Sequence, residues 1–424
     1  MHACLLRLAA AALIAVVLPA YAASPAVDPR RLTFDQAQVL MLERNRELQL
    51  ARLAVTGAEA DVTIAGAAPN PVFSVGNSRM GSGNSDAGPF VKRMEQSVGV
   101  SQLFERGNKR ELRREVAQHT ASAVRIEQYD VARQQRIALA QAYYDLLLAQ
   151  ERGRIAAETA STFDNTLDAA QRRVKAGDLS RSDLSRITVD ALRARNEAQA
   201  IALERDKAQL ALGYLIGLER DAKLINAGDA WPPLQSPATP NVDRIVDQRA
   251  DVKAAQERVR AAERNRDLAQ SLRTRDVTAG VQYDRTPNDA VRNSVGFTLS
   301  VPLFTRYYYE GEIRRAEADY DAAVASVERA RATALTELGT AAATLDNAAQ
   351  RVRRFQEGLL NSAEQAAAGA EFAYTRGAIG VMDLLDARRQ LHALRLESAA
   401  ALADYARAVA AWRAATEPVP GNIQ

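Results

Sequence analysis

Proline is missing from most of this chain. All 14 prolines are bunched, with none between Pro89 and Pro232 and none between Pro302 and Pro418. Two stretches of well over a hundred residues therefore lack the residue that breaks helices. That excludes an ordinary succession of small mixed domains, which the length of 424 residues would otherwise suggest.

Cysteine is nearly absent too. Cys4 is the only one, and it falls in a leader: Arg7, then the apolar run 8–18, then Ala20-Tyr21-Ala22 with small residues at both specificity positions of a secretory cleavage site. Cleavage after residue 22 leaves an exported chain without disulfides. No cysteine stands at the junction, so a lipoprotein acylation site is lacking. No later run offers the ~20 apolar residues of a spanning helix. Any membrane crossing must be made by strands.

Charge excess is missing as well. Lys+Arg 55 against Asp+Glu 52 leaves +3, no field for nucleic acid. Aromatics are 5% while hydrophobics reach 47% through abundant Ala, a composition suited to close helix packing. After the leader only His119 and His392 remain. There is no phosphate-binding glycine loop, His-x-x-x-His pair or Ser/His/Asp signature. The expectation is a non-enzyme with no catalytic residue, no cofactor and no resident metal. Alternating Arg and Glu at helical spacing reads as a solvated face.

What is present is one unit written twice. Gln102-Leu103-Phe104 recurs as Pro302-Leu303-Phe304, and Gly177 with Asp183-Leu184 recurs as Gly377 with Asp383-Leu384. Arg46-Glu47-Leu48 likewise resembles Ala250-Asp251-Val252. The division expected is a signal peptide 1–22, a first repeat 23–230, a Pro-rich linker 231–245, a second repeat 246–417 and a tail 418–424.

Each repeat reads helix, strand, loop, strand, very long helix, tight turn, long helix. In 277–284, Val277, Ala279, Val281 and Tyr283 alternate with polar or glycine residues; in 295–303, Val295, Phe297, Leu299, Val301 and Leu303 do the same. Phe73, Val75, Val98 and Val100 carry a weaker version in the first repeat. Alternation alone fits a half-buried sheet of a soluble protein. Strand lengths of ~9–11 residues in an exported chain fit an outer-membrane sheet. Known membrane barrels need at least ~8 strands and open edges cannot face lipid, so four strands imply oligomerisation. The segment 306–376 reads as one helix of about 105 Å. Its seam repeats every seven residues through Tyr320, Val327, Ala334, Ala341, Ala348 and Phe355, with companions Val324, Leu338, Leu345, Val352 and Leu359.

Each hairpin turns on glycine. Gly177 and Gly377 suit left-handed helix caps, Ser180 with Asp183 suits a capping box, and Asp383 suits a first helical turn. Capping explains these residues by itself. The apolar Leu179, Ile379, Val381 and Met382 are left over, expected exposed at the tips as a docking surface.

The plan of paired strands and long hairpins resembles the outer-membrane factor (TolC) family over essentially the whole mature chain. The elements that carry the resemblance are Ser101-Gln102-Leu103-Phe104-Glu105-Arg106-Gly107, Val301-Pro302-Leu303-Phe304 and the paired Gly-x5-Asp-Leu turns. Among its branches, the heavy-metal cation-efflux (CzcC-like) one is most similar. The resemblance implies a mainly α fold with a membrane β-barrel portion: long coiled-coil hairpins plus four antiparallel strands per chain, a homotrimer closing a twelve-stranded barrel in outer-membrane lipid, and an α-helical tunnel in the periplasm. It implies a periplasmic adaptor and an inner-membrane resistance-nodulation-division pump as partners, with heavy-metal cations as cargo. Asp383 and Asp386 then match aspartates narrowing the periplasmic gate, and Asp183 and Tyr374 match a latch between neighbouring helices; the family's latch arginine position holds Ile379 here. Gly177, Leu179, Ser180, Gly377, Ile379 and Val381 would form the adaptor-docking tips. The rival reading is a periplasmic coiled-coil adaptor or scaffold without a pore; a soluble periplasmic binding protein or enzyme is a third.

Overall fold

The computed structural model describes residues 28–79, 94–235, 241–285 and 293–417. The expected leader 1–22 and tail 418–424 lie outside the described residues, as do the middle of the Pro-rich linker and most of each inter-strand loop.

The first half runs α1 (Phe34–Arg44), α2 (Arg46–Ala65), β1 (Val72–Arg79), β2 (Met94–Phe104), α3 (Lys109–Ala176) and α4 (Arg181–Ile216). The second runs α5 (Val242–Gln248), α6 (Ala250–Ser271), β3 (Val277–Arg285), β4 (Asn293–Ser300), α7 (Glu310–Arg354), α8 (Leu360–Thr375) and α9 (Val381–Thr416). The first helix starts are written in short polar residues. Thr33 and Gln36 close a reciprocal capping box on α1, and the Asn45 side chain accepts from Leu48 N–H to open α2.

The four strands form one antiparallel sheet in the order β1-β2-β3-β4. Its register stacks like on like. Phe73 faces Val100, Val100 faces Val281 and Val281 faces Phe297; one row away Val75, Val98, Tyr283 and Val295 align. The other face sets Ser74, Gly99, Gln282 and Gly296 in one row and Gly76, Ser97, Asp284 and Ser294 in the next. The apolar face is bare: Phe297 is 85% exposed, Leu299 72% and Phe73 67%. A sheet that turns apolar side chains outward and small polar ones inward inverts the soluble pattern and matches a lipid-facing wall. β4 stops at Ser300 rather than at the expected Leu303, because Pro302 has no N–H to continue the ladder.

Below the sheet the helices run alongside one another. α3 is continuous for 68 residues, about 100 Å. Its counterpart is not. The helix expected over 306–376 ends as α7 at Arg354, passes through a π-helical turn Phe355–Leu359 in which Gly358 has φ 139°, and resumes as α8. Only glycine takes that backbone comfortably. Val327, Ala334, Leu338, Leu345, Ala348 and Val352 of the seam are buried, whereas Val324 and Leu359 are not; at Leu359 the π turn breaks the heptad's periodicity.

Three polar anchors tie the middle of the body together. Tyr143 is fully buried, its hydroxyl 2.9 Å from Leu32 O and 2.8 Å from Asp229 Oδ2; burial and the neighbouring carboxylate push its ionisation well above the ordinary tyrosine range. Asn45 Nδ2 bonds Gln135 and Leu215 O at the α1–α2 joint. At the matching α5–α6 joint stands Arg249, 1% exposed and bonded to Asp251 and to Glu337 of α7.

Candidate functional site: the hairpin tips

Both hairpins close with the same device. Asp178 N–H reaches Arg173 O and Gly177 N–H reaches Val174 O; Ala378 N–H reaches Ala373 O and Gly377 N–H reaches Tyr374 O. These are Schellman caps, and Gly177 (φ 82°) and Gly377 (φ 74°) occupy the left-handed position. Ser180 Oγ accepts from Asp183 N–H and donates to Asp183 Oδ2 at 2.7 Å, so the reciprocal box expected there is replaced by a side-chain pair. Asp383 Oδ2 accepts from Gly380 N–H at 3.3 Å.

The two tips pack together into one apolar cluster. Phe163, Ala170, Ile187, Ala191 and Ala194 of α3 and α4 meet Val381 and Leu385 of α9. This corrects the expectation of exposed tip residues. Val381 is 7% exposed, and Leu179, Met382 and Tyr374 pack against the same cluster; Ile379 is half-buried. Two adjacent hairpin ends bury each other's apolar residues first, leaving Gly177, Ser180 and Gly377 on the outside.

Around the cluster runs a ladder of polar links, and α9 supplies one side of it. Arg388 Nη1 donates to Thr166 Oγ1 at 2.5 Å, and its Nη2 lies 3.2 Å from Glu371. Arg389 bridges Asp190 of α4 at 2.6 Å and Asp386 of its own helix at 2.8 Å. His392 sits between Thr159 Oγ1 (2.9 Å) and the Glu197 carboxylate (3.2 Å). Arg395 lies 3.5 Å from Glu158 and 3.2 Å from Glu364. The stripe at 388, 389, 392 and 395 keeps one helical face; that spacing is the signal from which it could have been read.

The residues matched to a gate occupy distinct places. Asp383 and Asp386 are exposed on the first turns of α9. Asp183 and Tyr374 do not bond each other within the chain: Asp183 is held by Ser180, and the Tyr374 hydroxyl accepts from Arg173 Nη1 at 2.8 Å with the guanidinium 5.3 Å from its ring centre. No cluster of three or more His, Cys, Asp and Glu suited to a metal occurs among the described residues, and none of their helices is long and apolar enough to cross a membrane.

A bare apolar sheet above two long hairpins is the build of a subunit of a membrane channel, with its barrel strands at one end and a helical tunnel wall at the other. The outer membrane efflux protein family matches residues 39–218 and 241–416, one match for each half. The chain belongs to that family, whose place is the outer membrane with an extension into the periplasm. It is 26% identical over 399 residues to the cobalt-zinc-cadmium resistance protein CzcC of Cupriavidus metallidurans, covering 90% of this chain and 87% of that one. Among solved structures it resembles the CmeC outer membrane channel of Campylobacter jejuni, with a TM-score of 0.78 at 15% identity over 90% and 85% of the two chains. It also resembles the outer membrane protein VceC of Vibrio cholerae, with a TM-score of 0.73 at 20% identity over 91% and 96%.

Proposed function

We propose that the protein is the passive outer-membrane exit duct of a tripartite efflux system. The observation that carries this is the unfinished sheet: four strands with a bare apolar face and two open edges. Such edges cannot face lipid, and three copies supply a closed barrel of twelve strands, within the range of known membrane barrels. No step of chemistry is assigned to the chain. A pump in the inner membrane supplies the energy and a periplasmic adaptor joins the two, docking at the outer surface of the tips around Gly177, Ser180 and Gly377, with the half-buried Ile379 at its edge. Heavy-metal cations are the proposed cargo, supported by the likeness to CzcC.

At the closed mouth, Asp383 and Asp386 from three copies present acidic rings that favour cations, and Asp183 and Tyr374 meet across neighbouring copies. The two repeats with their linker act as one folded unit. Single-channel recording with Asp383→Ala/Asp386→Ala tests the gate: higher conductance and weaker cation preference are expected, and unchanged values sink the assignment. Cross-linking of the full-length membrane protein must give trimers; recovery of the chain in soluble periplasm would instead support the scaffold reading.

A further inference from the structure

Where the strands hand over to the helices, arginines gather in excess of the carboxylates beside them. The β2–β3 pairing ends with Phe104 opposite Val277. Carried two residues further, the same register sets Arg106 opposite Arg275, on the side of the alternation that turns outward. Arg106 N–H bonds Asp276 Oδ1 at 2.9 Å, which ties the two segments together there. Like charges directly opposite are unfavourable unless something anionic lies between them.

The nearby carboxylates have partners of their own, Glu310 Oε2 accepting from Tyr308 N–H at 3.1 Å. Glu105 is paired with Arg113 at 2.5 Å and Asp276 with Lys109 at 2.8 Å. Among the described residues, Arg106, Arg273, Arg275 and Arg306 form no ion pair, although arginine elsewhere in the body is widely bridged. All four are exposed. Arg273 Nε donates to Tyr308 O at 3.3 Å with the Glu310 carboxylate close enough to feel its charge, and Arg275 lies 5.3 Å from the Phe304 ring centre. Phe304 in turn packs edge-on against Tyr308 and Tyr309.

This patch continues directly from the bare apolar face, through Val301 and Leu303, the latter 74% exposed. Aromatic rings beside arginines at the edge of an apolar band are suited to the headgroup layer of a bilayer. Guanidinium binds phosphate through paired N–H donors.

We infer that Arg106, Arg273, Arg275 and Arg306 form a binding site for the phosphate of an anionic phospholipid in the periplasmic leaflet, beside the aromatic cluster of Phe304 and Tyr308. The inference rests on the reading of the sheet as membrane-spanning. The lipid neutralises the Arg106–Arg275 juxtaposition and sets the depth at which barrel becomes tunnel. By the spacing that relates 102–104 to 302–304, the counterparts of Tyr307, Tyr308 and Tyr309 in the first repeat are Gly107, Asn108 and Lys109, none of them aromatic, so each chain carries one such site.

The test uses full-length protein purified from membranes, stripped of lipid in detergent, and titrated with phosphatidylglycerol or phosphatidylcholine under native mass spectrometry at about 0.15 M ionic strength. Phosphatidylglycerol is expected to be retained in preference to phosphatidylcholine. Its affinity should fall about fivefold per arginine replaced by glutamine, so that the quadruple variant loses the preference. Excess inorganic phosphate should not displace it, because the lipid chains add apolar contact. Equal retention of the two lipids by the natural protein, an unchanged preference in the quadruple variant, or displacement by free phosphate would each overturn the site. Protease protection in lipid vesicles is measured on the same samples. Failure of the natural protein to insert there would refute the membrane-spanning reading, and the site with it; insertion without lipid preference refutes the site alone.

Discussion

Arg389 of α9 reaches Asp190 of α4 at 2.6 Å, and the aspartate is 6% exposed while the arginine side chain is 44% exposed. A largely buried carboxylate thus depends on a cation from the other repeat, at the end of the molecule where the two hairpins separate if they move. Removing one partner of a buried pair costs about 3–5 kcal/mol. Because Arg389 is half in water, Arg389→Met is expected to cost about 2 kcal/mol. In planar bilayers the variant should show longer open dwell times, and Asp190→Asn added to it should restore part of the closed population. Dwell times unchanged in both would remove this contact from the closing of the tips.

The two faces of the sheet predict opposite tolerance. Phe297 is 85% exposed in the middle of the apolar face, and an arginine there should cost about 2–4 kcal/mol on insertion. Thr298 points to the other face, opposite Gly280. Thr298→Lys should insert normally and shift ion selectivity toward anions. Outer-membrane fractionation with conductance measurement reads both; equal insertion of the two variants would contradict the assigned faces.

Gly358 is the joint of the second hairpin. Its φ of 139° is closed to side chains, yet no atom within 4 Å would meet a Cβ. Gly358→Ala therefore meets backbone strain of about 1–3 kcal/mol and no clash. The expected relief is a return to α-helical geometry, joining α7 and α8 as α3 is joined through Gly153. Spin-label distances between α8 and α4 should change by several ångströms at the tip. Identical distances would mean that the π turn is held by its surroundings.

Acid should loosen the junction of barrel and tunnel. The Arg113 hydrogen bond holds the Glu105 carboxyl below its usual 4.5. Burial works against ionisation of Asp276, but the Lys109 ammonium and Arg106 N–H outweigh it and hold that group below 3.8. Both are lowered in the folded protein, so their stabilisation is complete above those ordinary values and is lost as pH falls through the lowered ones. Glu105→Gln should lower stability by about 1.5 kcal/mol at pH 7 and by progressively less as pH falls below the ordinary glutamate range. Thermal unfolding across that range reads the difference; parallel curves for variant and natural protein would refute it.

Much of the architecture was legible because it is periodic. Alternation at 277–284 and the seven-residue seam each state which residues share a face, and the repeat states it twice. Proline marked where the pattern stops, although β4 ends at Ser300 ahead of Pro302. What periodicity misses is a single residue that departs from it. Gly358 reads as one more helix position until its backbone is seen. Val381 reads as an exposed tip residue until the other hairpin is placed against it.

The sequence by itself determined most of the elements and the faces of sheet and helix, because these depend on spacings of two to seven residues along the chain. It also carried the family, through short motifs at the strand ends and turns. The tertiary structure alone decided which side chains meet. Arg389 and Asp190 are 199 residues apart in the chain, and Arg173 and Tyr374 are 201 apart. No local pattern encodes those partners; they are chosen when two hairpins of about 100 Å lie side by side and bury a shared apolar seam. The same docking turned expected surface at Val381 into core.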